Sequence, residues 1–166
     1  MIKHAMFSDD RKHRHMLIRE WDQDLPRLAV IGLNPSTADE NVDDPTIRRC
    51  VGFAKREGCG LLMMLNLFSY RATDPKELLT MDKSELRPMP SLALLIKYMD
   101  LARRYEYRVV CAWGNHGVLH NASQDFTEMF ANMPLECFGL TSIGEPRHPL
   151  YLKADTPLIP FRRVQQ

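Results

Sequence analysis

The polar side chains best suited to chemistry stand where apolar runs stop. The first group is Gly32-Leu33-Asn34-Pro35-Ser36-Thr37, directly after Leu28-Ala29-Val30-Ile31. Pro35 restricts Asn34 to extended backbone, which holds its amide in a defined direction. Such an amide orients a water or hydrogen-bonds a substrate; the plainer alternative is that it only completes a turn. Ser36 and Thr37 lack the Gly-x-Ser-x-Gly context of a nucleophile elbow. Their hydroxyls are expected to bond the local backbone, and their N–H groups are weaker candidates for holding a phosphate. Gly32, Pro35 and Ser36 are expected to lie beside a bound substrate, with Asn34 as a catalytic group.

Asn66 ends a second apolar run, Gly60 to Leu65. Its amide both donates and accepts, which suits reading the edge of a nucleobase. Phe68 and Tyr70 follow closely, and either ring can stack on a base or pack under the loop. Arg71 can contact a phosphate or pair with Asp74. Trp113-Gly114 closes a third apolar run, and Trp113 is expected at the substrate. Near the end, Arg147-His148-Pro149 sits in a loop. A neutral imidazole there can donate a hydrogen bond to developing negative charge, and a guanidinium can hold a phosphate bidentately. His148 is thus the second catalytic candidate and Arg147 a binding one.

Two other clusters carry weaker signals. Asp39, Asp43 and Asp44 form an acidic loop. Helix capping explains Asp44, and a divalent metal is the alternative, although no paired ligand motif accompanies it. His116 and His120 are spaced i, i+4 on an expected helix, without the Glu that usually completes such a metal motif. No metal and no cofactor are therefore expected.

The elements that must position these groups follow from periodicity. Residues 28–31, 60–65, 108–113 and 135–139 are short apolar runs ending at turn signals, so they are expected as strands. Met16-Leu17-Ile18 is a further, edge-type strand. Asp44-Pro45 opens a helix on which Ile47, Cys50, Val51 and Ala54 form one apolar stripe, and Gly58 is placed to end it. A second amphipathic helix begins near Ser91. A third carries Leu119, Ala122, Phe126, Met129 and Met133. Strands alternating with helices imply a mostly parallel sheet of about four strands in an α/β/α three-layer arrangement. Right-handed connections send every carboxyl end to one edge, where sites in such sheets form. Asn34, Asn66, Trp113 and His148 would converge there.

Composition agrees with one α/β domain over residues 1–166: hydrophobic residues are 45% and charged residues 26% of the chain. The net charge of +1 provides no global field for duplex nucleic acid, and the basic groups Arg11-Lys12 with Arg14, and Arg162-Arg163, are expected as solvated surface. The four cysteines lack the spacing of a zinc or iron–sulfur site. No signal peptide and no membrane-length apolar run is visible, so a cytoplasmic protein without a membrane partner is expected.

At these residues the chain resembles a known family. Gly32 to Asp39, Asp43-Asp44-Pro45-Thr46, Asn66 to Thr73, Ala112-Trp113-Gly114 and Arg147 to Tyr151 are similar to the bacterial and phage family called domain of unknown function 1643. More remotely, the order of motifs is similar to the uracil-DNA glycosylase superfamily. Gly32-Leu33-Asn34-Pro35 resembles the Asn version of that superfamily's first motif. Asn66 is placed like its uracil-reading Asn, Trp113-Gly114 like its Trp-Gly pair and His148-Pro149 like its closing His-Pro. The Ser that usually follows His-Pro is absent, since Leu150-Tyr151-Leu152 comes next.

The resemblance implies a uracil-DNA glycosylase-like fold and an N-glycosidic hydrolase with a role in DNA repair, acting on a base in nucleic acid or on a nucleotide. Asn34 would position water, His148 would stabilise the leaving base, Asn66 would read it and Phe68 or Tyr70 would stack on it. The alternative is a non-catalytic nucleotide or nucleic-acid binding module. A third reading is a metal-dependent phosphohydrolase using Asp39, Asp43 and Asp44.

Overall fold

The structure, a computed structural model, describes residues 1–163. Its elements in chain order are β1 (Ile2–Phe7), β2 (Arg14–Glu20), β3 (Arg27–Gly32), α1 (Pro45–Arg56), β4 (Leu61–Asn66), α2 (Lys83–Leu86), α3 (Met89–Arg104), β5 (Arg108–Cys111), α4 (Ala122–Met129), β6 (Leu135–Cys137) and β7 (Ile159–Pro160). They build an α/β fold on one seven-stranded sheet, ordered β1-β2-β4-β3-β5-β6-β7.

The expectation of about four, mostly parallel strands is corrected to seven in a mixed sheet. The four apolar runs form β4, β3, β5 and β6, which are mutually parallel. β2, β1 and β7 add antiparallel pairings at the two sides. β1 has little apolar periodicity because most of it is exposed, and β7 is two residues long. β2 is not an edge, since β1 covers it.

Side chains alternate between two apolar clusters, as strand geometry requires. Leu28, Val30, Leu62, Met64 and Val110 pack with Ile47, Cys50, Phe53 and Ala54 of α1. Ala29, Ile31, Met63, Leu65, Val109 and Cys111 pack instead with Leu95, Met99 and Ala102 of α3 and Phe126 of α4. Each Leu, Ile, Val, Met and Phe among them contributes ~1.5–3 kcal/mol on full burial. No helix among the described residues is long and apolar enough to cross a membrane.

Three local features set the site. α1 begins as its sequence demands: Asp44 Oδ1 accepts the Ile47 N–H at 2.8 Å and Pro45 follows. The register of β1 on β2 slips at Phe7, because Met6 pairs with Met16 while Phe7 pairs with Arg14. His15 is therefore an extra residue, a bulge that turns Arg14 away from the Met16 face and under the β3–α1 loop. Lastly, β3 continues to β4 on one side while β5 continues to β6 on the other. This reversal leaves a switch point between the loops after β3 and β5.

The expected third helix starts late. Residues Asn115–Asn121 form 3-10 turns with a kink, and His120 and Asn121 adopt positive φ of 52° and 57°. His116 and His120 consequently share no helical face, and His120 Nε2 donates to the Met81 carbonyl at 2.9 Å.

Candidate functional site

One wall of the crevice is the loop after β3, residues 33–44, joined to the loop after β4. The two leave adjacent parallel strands, and the Leu67 and Phe68 N–H groups continue the ladder by donating to Gly32 and Leu33. Asn34 Nδ2 donates to two backbone carbonyls, Pro35 at 3.0 Å and Ala72 at 2.9 Å. With both amide hydrogens committed, Oδ1 is the polar atom of Asn34 left for a ligand or water. Arg71 Nε donates to the Ser36 carbonyl at 3.2 Å, a second bridge between the loops. Gly32 is closely surrounded: a Cβ there would meet Asn66 Nδ2 at 2.9 Å and Met64 Cε at 2.7 Å, so both side-chain ends would have to shift.

Two buried arginines lie beneath this wall. Arg19, with no exposed surface, pairs through Nε with Asp43 Oδ1 at 2.7 Å and donates to the carbonyls of Ile18, Asp39 and Val42. Arg14 donates to the Ala38 carbonyl at 3.2 Å and to Asn66 Oδ1 at 3.3 Å, while its buried Nε has no partner. Among the described residues no carboxylate lies within ion-pair distance of Arg14. Burial lowers its pKa to about 10, against the opposing pull of Asp44.

The other wall is the loop after β5 joined to residues 139–148. The Gly114 N–H donates to the Pro146 carbonyl at 2.8 Å, and the Arg147 N–H to the Gly139 carbonyl at 3.0 Å. Gly114 adopts φ of +73° directly beside His148, whose Cβ would lie 3.6 Å from a Cβ at that glycine. His148 caps a short 3-10 turn, Pro149–Tyr151, and its Nδ1 accepts the Leu150 N–H at 3.2 Å. The neutral ring must therefore carry its proton on Nε2, as a donor. The residue as a whole is exposed, yet the surrounding protein desolvates the ring enough to lower its pKa, and Asp44 opposes the shift.

The structure thus groups Gly32, Asn34, Pro35, Ser36, Asn66 and Arg71 on one wall, and Arg147 and His148 on the other. Two expected contacts are corrected. Phe68 has no exposed surface and lies in the core, edge-on to His120, so its ring cannot stack on a base. Trp113 is 1% exposed, packed against Phe126 and Phe161, and its indole N–H donates to buried Glu145 at 2.7 Å. Tyr70 is half-buried against His13. Asn66 is 9% exposed and gives its oxygen to Arg14, so its Nδ2 is what remains for a ligand.

The acidic loop is committed to its own structure. Asp39 accepts two backbone N–H groups, Asp43 pairs with Arg19, and Asp44 caps α1. Among the described residues no three His, Cys, Asp or Glu side chains gather as a metal-ligand set.

Sequence reasoning missed Arg14, because only the bulge reveals where it points. It missed Glu145, which anchors Trp113 and also accepts from Arg163 at 2.9 Å. It took Arg14 for solvated surface together with Arg11 and Lys12, whereas Arg14 is buried; Arg11 and Lys12 are exposed, and they line an open cavity of about 310 Å³ with Ser36 and Arg71. Tyr151, 91% exposed three residues after His148, is the most open aromatic ring at this edge.

An α/β fold on a seven-stranded mixed sheet, with polar loops at the carboxyl ends of its parallel strands, defines the class of protein. The chain belongs to the DUF1643 family, described as a protein of unknown function, whose model matches residues 14–150. No curated protein and no solved structure matches the chain.

Proposed function

We propose that the chain binds a nucleobase-bearing ligand, in nucleic acid or as a nucleotide, at the carboxyl edge of the sheet and hydrolyses its N-glycosidic bond. The fold would then be a three-layer relative of the uracil-DNA glycosylases. One observation carries this reading: backbone contacts fix Asn34 with a free acceptor and His148 with a free donor. Hydrolysis of a glycosidic bond is assisted by both. Asn34 Oδ1 orients a water, whose oxygen bonds to the anomeric carbon and whose proton passes to solvent. The C–N electron pair leaves with the base, and His148 Nε2–H stabilises that charge by a hydrogen bond. The lowered pKa of His148 keeps the ring in its neutral form near neutral pH.

A non-catalytic binding module is the second reading. It is favoured by the burial of Phe68 and by the clamp that Asn34 makes across the two loops. Single-turnover assays on uracil-, mismatch- and modified-base oligonucleotides and on free nucleotides decide between the two. The enzyme reading expects base release that falls ~10²–10³-fold in His148→Ala with binding retained. Binding without release from any substrate establishes the module instead.

A further inference from the structure

The cavity beside Asn34 takes two of its seven lining residues, Arg11 and Lys12, from outside the family match. Arg11 and Lys12 belong to the β1–β2 hairpin tip, which precedes residue 14, where the match begins. The tip is locked onto the crevice wall: the Arg71 N–H donates to the Lys12 carbonyl at 2.9 Å, and Arg71 Nη1 to the Arg11 carbonyl at 3.2 Å. The Arg11 and Arg71 guanidinium carbons lie 3.9 and 4.8 Å from the centroid of the Phe7 ring, so one aromatic ring holds two cations. Arg11 keeps a left-handed backbone, φ 59°, where glycine would avoid the strain. An arginine at such a position points to a use for its side chain.

The charges on this cavity are unevenly partnered. Arg11 pairs with Glu40 at 2.9 Å, but among the described residues neither Lys12 nor Arg71 has an ion pair. Glu77 is the one carboxylate on the lining. Asp39 lies near Arg11 and Arg71, with its carboxylate capped by two backbone N–H groups. Ser36 and Thr73 add hydroxyls. The cavity adjoins Asn34 through Ala72, which lines it and accepts the Asn34 amide.

We infer that this cavity is a phosphate subsite, in which Arg11, Lys12 and Arg71 hold a phosphate of the ligand whose base lies at the Asn34–His148 crevice. It rests on the reading of that crevice as a nucleobase site. The β1–β2 hairpin then extends the crevice along a strand. A nucleotide's own phosphate and the next phosphodiester of a strand share this chemistry, and comparison of a 5′-mononucleotide with a short oligonucleotide separates them.

The experiment is fluorescence anisotropy of a labelled single-stranded 12-mer on the wild type and on Arg11→Gly/Lys12→Ala, across salt. Glycine at residue 11 suits the left-handed turn, and Lys12 contributes only its backbone to the fold, so folding is retained. The variant should bind about tenfold more weakly, with a salt slope shallower by up to ~0.7, the value for one lost phosphate contact on a single strand. Glu77→Gln should bind more tightly. Equal affinity and slope for wild type and double variant overturn the subsite and leave the crevice reading intact.

Amide shifts in ¹⁵N-labelled protein distinguish the remaining cases. Shifts from inorganic phosphate at Arg11, Lys12 and Thr73 support the subsite by themselves. Deoxyuridine leaving Asn34, Asn66 and His148 unshifted defeats the nucleobase reading alone. An absence of both oligonucleotide binding and phosphate shifts overturns the subsite.

Discussion

The β3–α1 loop rests on two buried arginines that are satisfied in opposite ways. At the helix end, Arg19 has a carboxylate and three carbonyls around its guanidinium. Beneath Ala38 and beside Asn66, Arg14 has one carbonyl, one amide oxygen and an Nε with no partner. A buried cation usually has a carboxylate, because leaving one unpaired is expensive. Arg19 therefore reads as scaffold. Arg14 keeps an uncompensated charge beside Asn66 and within the influence of Asp44, where a ligand's polar groups can use it. The bulge at His15, which turns Arg14 inward, serves the second arrangement only.

The largest effect that tests this contrast is Asp43→Ala. Removing the partner of a fully buried guanidinium should lower stability by about 3 kcal/mol, read from urea denaturation. A loss under ~1 kcal/mol would mean that the carbonyls alone hold Arg19. Gly32→Ala should come next, at about 1–2 kcal/mol, because the new Cβ presses on Met64 and on the Asn66 amide. The Asn66 side-chain NH₂ resonance should move with it; a fixed resonance would show that Asn66 is not held by this contact.

Acidification probes the Arg14 side of the contrast. His13 and His15 flank Arg14 in sequence; burial lowers these two and His148 below the ordinary 6.5, with the charge of Asp44 opposing the shift at His148. Lys12 also lowers His13 while Asp10 raises it, and His13 lowers His15. The unfolded chain then binds protons that the folded one refuses. Stability should be level above pH 6.5 and fall as pH drops below it toward the depressed folded values. A melting temperature that rises between pH 6.5 and 5.5 would contradict these environments. The smallest stability effect belongs to Arg14→Met, which replaces an unpaired buried cation by an apolar side chain of similar reach. It should leave unfolding free energy within ~1 kcal/mol of wild type, or raise it, while weakening ligand binding. If it destabilises as much as Asp43→Ala, the two arginines do the same work and the contrast collapses.

Much of this arrangement was legible in the chain. The four parallel strands were apolar runs bounded by turn residues, and the start of α1 was visible in Asp44-Pro45. Asn34, Asn66 and His148 stood out as polar groups at strand ends and loops. β1 and β7 carried no such pattern, because exposed edge strands gain little from apolar alternation. The aromatic residues were the weakest inference. Phe68 and Trp113 have the composition of stacking residues, but ring chemistry does not tell a ligand contact from a core contact; only neighbours such as Phe126, Phe161 and Glu145 do.

By itself, then, the sequence determined which segments become buried parallel strands and which polar groups stand at their carboxyl ends. Local periodicity and turn chemistry suffice for that. Tertiary structure alone decided how those groups are used. It set the tautomer of His148, the commitment of both Asn34 amide hydrogens, and the turn of Arg14 under the loop. It also brought Arg11 and Lys12 beside Arg71 across about sixty residues of chain. These depend on partners distant in sequence, and no pattern of nearby residues encodes a distance.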